Sequence, residues 1–215
     1  MKFVLIGIAL LSGLFALGQD EKVENYLWSY TSLSEDINEK TQIVFSEKVH
    51  YNLSEKLSDY NQFDIILYRD IHKNFSVGLA LRNAYSGGRN NWVSEITPQI
   101  YGVYKGSLNK FSINWSNRID FQNFDTGAKR TRYRNKLTVI FPRSYTKLKI
   151  SPFLAEEMFV KFNDDGFYNF RLFGGAYLFD IRFLKANLFY CYNMINKENR
   201  WTHQNVTGIS LHFKI

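Results

Sequence analysis

The chain has 215 residues, of which 45% are apolar and 17% aromatic, with 19 Phe and 14 Tyr against only 3 Pro, and its formal net charge is +7. A single cysteine, Cys191, excludes an internal disulfide, and after residue 18 no apolar run reaches the roughly 20 residues of a membrane-crossing helix. A mean hydropathy of −0.29 resembles that of a soluble secreted protein, yet a membrane barrel gives the same average, because its lipid-facing and lumen-facing residues alternate and cancel.

Lys2, the apolar run from Phe3 to Leu11, and Ala16-Leu17-Gly18 predict a signal peptide over 1–18, with an apolar core too short to serve as an anchor. Residues 19–40 follow as an N-terminal lead. Within it Asn25 to Leu33 also reads as extended, and an eleventh strand would spoil the even count of a closed bacterial barrel. That stretch therefore lies inside the barrel, leads into it, or belongs to a twelve-strand arrangement.

From residue 41 to 215, strand signals recur at short intervals between turn-rich pieces. The spacing predicts ten strands, at 41–51, 60–71, 74–86, 92–105, 109–122, 130–141, 147–162, 166–180, 183–195 and 200–214. In the clearest of them, Phe111, Ile113, Trp115, Ile119 and Phe121 alternate with Ser112, Asn114, Ser116, Arg118, Asp120 and Gln122. Tyr168-Phe170-Leu172 against Asn169-Arg171, and Leu184-Ala186-Leu188-Tyr190-Tyr192 against Lys185 and Asn187, repeat the pattern. Pro98 and Pro152 fall within predicted strands and are expected at bulges. Tyr85, Trp92, Tyr101, Tyr104, Tyr190, Tyr192 and Trp201 lie toward strand ends, where aromatic girdles meet lipid interfaces. The fold class expected is all-β: a closed, antiparallel transmembrane barrel of about ten strands, in one domain.

Charges facing lipid at mid-strand would cost about 2–4 kcal/mol each. The rows Arg118, Asp120, Gln122 and Arg130, Arg132, Arg134, Lys136 on adjacent strands must therefore point into the lumen, joined by Glu157, Lys161 and Arg171. Such a network either attracts anions or simply fills and specifies a narrow barrel. The order R-x-D-x-Q (Arg118, Asp120, Gln122), R-x-R (Arg132, Arg134) and A-E-E-M-F (Ala155 to Phe159), after Trp28, resembles the outer-membrane family called domain of unknown function 2490. That family shows R-x-E-x-R, R-x-R and E-x-F in successive strands, so this chain departs from it at Asp120 and Gln122. The resemblance implies a barrel and adds no substrate.

The predicted function is non-enzymatic: a structural or small-solute-interacting barrel of the Gram-negative outer membrane, porin-like and in one form a narrow anion-preferring pore. No cofactor or metal motif occurs, since G-x-S-x-G, clustered His/Cys ligands and phosphate loops are missing from the sequence. Expected partners are outer-membrane lipid, the assembly machinery through the C-terminal strand ending Phe213-Lys214-Ile215, and small anionic solutes, but not nucleic acid. Two alternatives stand beside this reading. One is a surface hydrolase using His50 and His203, brought together at the rim as first and last strands close. The other is a soluble exported β-sandwich that binds a ligand.

Overall fold

Period-two alternation obliges a strand to bury one face, and eleven such strands here curl into a closed barrel. The computed structural model describes residues 23–88, 91–162, 166–197 and 200–215. The strands are β1 (Glu24–Asn38), β2 (Thr41–Asn52), β3 (Leu57–His72), β4 (Phe75–Gly87), β5 (Trp92–Leu108), β6 (Phe111–Phe124), β7 (Lys129–Ile140), β8 (Ser151–Lys161), β9 (Phe167–Ile181), β10 (Leu184–Lys197) and β11 (Arg200–Lys214). Sequential strands pair antiparallel, and β1 closes the barrel against β11. The expected signal peptide, and parts of the predicted loops at 89–90, 163–165 and 198–199, lie outside the described residues.

Among the described residues the count is eleven, neither ten nor twelve. The segment expected as a lead, 19–40, supplies β1 from Glu24 onward, so the barrel begins before residue 41. Strands that alternate in direction leave the first and eleventh running the same way, and β1 and β11 are accordingly parallel, with Trp28 opposite Gly208 and Ser32 opposite His212. This seam is backed by Ser32 Oγ to His212 Nδ1 at 2.7 Å and by Lys214 Nζ to Asp36 at 2.6 Å. Closure into one sheet with no second layer also replaces the sandwich alternative.

One end of the barrel, here termed the turn end, carries tight turns at 39–40, 73–74, 109–110 and 182–183 and the longer 141–150 connection. The predicted strand start at 147 fails there. Lys149 has φ of 55°, outside the extended region, and Thr146 Oγ1 bonds both the N–H (3.0 Å) and the carbonyl (2.9 Å) of Ile150, so β8 begins only at Ser151. Neither proline makes a bulge. Pro98 keeps register with Leu81 while the ladder to β6 lapses between Ile96 and Gln99 without a shift, and Pro152, at the start of β8, keeps register with Ala176 and accepts from the Phe141 N–H at 2.8 Å.

Leu27, Phe63, Ile65, Leu79, Leu81, Ile96, Ile100, Trp115 and Leu154 point outward and are all strongly exposed; Leu79 is 64% exposed. The inside holds both an apolar cluster, with Trp28, Phe153, Phe173, Cys191 and Val206 buried together, and the charged rows. Gly208 permits close approach there: a Cβ on it would meet the Phe189 ring at 2.2 Å. Two aromatics defy the expected faces. Tyr101 is buried in the lumen rather than in a girdle, and a register shift at Phe159/Val160 turns Tyr168 inward, away from the face of Phe170 and Leu172.

Candidate functional site

The β6–β7 hairpin sets Asp120 opposite Arg132 and Arg118 opposite Arg134. Asp120 is fully buried and its Oδ2 accepts from two guanidiniums, from Arg118 Nη2 (3.0 Å) and from Arg132 Nε (2.8 Å) and Nη2 (2.6 Å), while Arg118 Nε also approaches Oδ1 at 2.5 Å as an ion pair. Arg118 also donates to the Tyr101 hydroxyl at 3.1 Å, and that hydroxyl donates to Gln99 at 2.9 Å. On β3 and β4, Asp64 accepts from Arg82 Nε at 2.8 Å, with Gln62 and Ser46 as further donors. Glu95 accepts from Thr97 and, at 2.9 Å, from Gln122. Side chains rather than water occupy this level, because Thr97, Gln99, Arg82, Arg118, Asp120 and Gln122 are all buried.

On the next strand beyond β7 a second group gathers on Glu157, itself 1% exposed. Arg134 pairs with one carboxylate oxygen and Arg171 with the other at 3.1 Å. From Arg171 the bonds continue across the seam: its Nε donates to Asn193 (3.1 Å), Asn193 to Gln204 (2.6 Å), and Gln204 to Glu24 on β1 (3.1 Å). Lys136 and Lys161 rest over aromatic rings, the first 4.5 Å from the centroid of Phe173 and the second 4.5 Å from that of Tyr168. Arg130 lies over Phe124 at 5.6 Å.

The ten residues expected in the lumen all point inside. Sequence reading missed Asp64, Arg82, Glu95, Gln99 and Lys48, which complete the two groups. Their signal was present as polar residues two apart, Gln62-Asp64 and Glu95-Thr97-Gln99, inside otherwise apolar strands. The rim pair is not formed. β1 stands between β2 and β11, His50 is stacked in the lumen between Trp28 (4.1 Å) and Tyr60 (4.6 Å), and His203 faces outward on Tyr192 (5.4 Å).

Toward the turn end the lumen opens into a cavity of about 1440 Å³. Its lining joins apolar Val44, Ile66 and Val103 to polar Ser32, Lys105 and Lys185. Among the described residues no group of three or more His, Cys, Asp or Glu side chains is placed to hold a metal ion.

A family described as a protein of unknown function, DUF2490, matches residues 25–204, from the first strand of the barrel into the last. No curated protein matches the chain.

Proposed function

We propose that this chain, which belongs to the DUF2490 family, is a non-enzymatic β-barrel of a bacterial outer membrane, filled at mid-lumen and open to small solutes at the turn end. The observation that carries this reading is the inverted polarity of the barrel. Rows such as Leu67-Leu79-Ile100 lie side by side on the outside across β3, β4 and β5, while Asp64, Arg82, Arg118 and Asp120 are buried within. In water that exterior would be a large apolar patch driving aggregation; against hydrocarbon it is the stable arrangement, and the closed sheet leaves no backbone donor facing lipid.

On this reading the turn end faces the periplasm, because most of its connections are tight turns and β11 ends there, and the cavity receives solutes from that side. The packed Asp120 and Glu157 groups oppose an open pore. They support a closed or gated lumen instead, since side chains nearly fill barrels of this size. The hydrolase alternative gains little from the Ser32–His212 contact on the cavity wall, because no described carboxylate hydrogen-bonds His212 to orient it as a base.

Fractionation of cells with and without detergent, followed by SDS gels of boiled and unboiled samples, tests the proposal. The protein should partition with outer membranes and migrate differently on boiling. Recovery in the detergent-free soluble periplasm would overturn it.

A further inference from the structure

The interior charges divide unequally. Asp64, Glu95 and Asp120 share their side of the lumen with Arg82, Arg118 and Arg132, three carboxylates to three guanidiniums. Glu157 stands alone among Arg134, Arg171, Lys48 and Lys136, all of which act on it electrostatically. Arg134 and Arg171 occupy its two oxygens. The two ammonium groups have no described carboxylate within ion-pair distance: Lys136 stands opposite Glu157 in the ladder, yet its Nζ lies over Phe173, and Lys48 Nζ lies 4.1 Å from the Trp28 centroid. Arg171 covers the same indole at 4.9 Å.

A ring face compensates a cation only weakly compared with an anion, and this part of the lumen sets four basic side chains against one carboxylate. Two further facts point to what balances it. The Trp28 indole N–H, on a residue 2% exposed, has no acceptor. Lys48 and Lys136, by contrast, are only partly buried although they point into a closed barrel, so open space remains beside them.

We propose that Lys48, Lys136, Arg171 and the Trp28 N–H bind a small oxyanion of the phosphate class inside the barrel. The inference rests on the solute-interacting reading above and names its ligand chemistry. A tetrahedral oxyanion offers several acceptor oxygens to convergent donors, which chloride does not, and charge-assisted bonds to such oxygens are the strong ones. The strand wall excludes a lipid headgroup, whose acyl chains would have to cross it, so the ligand is a free anion or the terminal phosphate of a small solute.

Titration calorimetry with inorganic phosphate on the detergent-solubilised barrel, at constant ionic strength set with chloride, is the test. Saturable binding near one phosphate per barrel is expected. Lys48→Gln with Lys136→Gln should weaken it at least tenfold, whereas Lys73→Gln, in an exposed turn outside the lumen, should leave it unchanged. Glu157 keeps both guanidiniums in the double variant, so heat-modifiability should persist; if assembly fails, Lys136→Gln alone carries the comparison. Absence of saturable binding to a wild-type barrel that still shifts on boiling, or equal binding by a folded Lys variant, overturns this site without touching the membrane assignment.

Discussion

Arg132 holds Asp120 through Nε and Nη2, while Arg118 approaches the other oxygen of the same carboxylate from the neighbouring ladder position. Two strands are thereby tied by one buried anion whose loss would strand two guanidiniums at once.

Asp120→Ala should therefore destabilise the barrel by about 3–5 kcal/mol, the usual consequence of removing one member of a buried ion pair. Urea titration of the refolded barrel, followed by the fraction that resists boiling-free SDS, measures it. Arg132→Leu should cost less, because Asp120 keeps Arg118. Equal stability of Asp120→Ala and wild type would mean that water already screens this group.

On the outer face, Leu79 is flanked by Leu67 and Ile100, whereas Leu137 stands opposite Glu156, an outward-facing carboxyl on β8. Leu79→Arg should lose the full penalty of about 2–4 kcal/mol for a lipid-facing charge. Leu137→Arg should lose less, because Glu156 offers it a counter-charge. Folding yield into lipid vesicles ranks the two, and the reverse order would show that this surface does not meet hydrocarbon.

The parallel seam is open to chemical proof. Ser29 and Ile209 are opposite each other, so in a Cys191→Ser background Ser29→Cys with Ile209→Cys should form a disulfide, detected as altered mobility on non-reducing gels. Val49→Cys with Ile209→Cys should not link, since β1 lies between them. The opposite pattern is what a ten-strand barrel would give.

Gly208 leaves room for the Phe189 ring on the adjacent strand. Gly208→Leu should destabilise by about 1–3 kcal/mol through overpacking, and adding Phe189→Ala should recover part of that loss. Non-additivity in a double-mutant cycle is the readout.

Much of the barrel was legible because each strand must separate its faces, and the alternation of Arg118, Asp120 and Gln122 with Ile119 and Phe121 predicts that the charges lie inside. β1 was less legible for a reason of principle: an even strand count is a regularity of bacterial barrels, and Asn25 to Leu33 reads as extended without a clean alternation, since Tyr26 and Trp28 face inward while Ser29 and Thr31 face outward. The interior aromatic cluster was hidden because Phe153 and Ala155 face inward while Leu154 faces outward. Where both faces are apolar, a period of two no longer says which one is inside. Tyr168 was misassigned through the bulge at Phe159/Val160, a one-residue slip that exchanges faces without leaving a mark in composition.

Because β1 and β11 run in the same direction, β1 enters the barrel at the end opposite to the one where β11 leaves it. In an even-stranded barrel a few added residues can bridge these two points and new ends can be opened at any hairpin. Here a bridge from Lys214, which lies beside Ser34, back to Glu24 would have to run along ten residues of strand, about 33 Å at roughly 3.3 Å per residue. The fold thus resists circular permutation, and reporters fused before β1 and after β11 would report from opposite sides of whatever the barrel crosses.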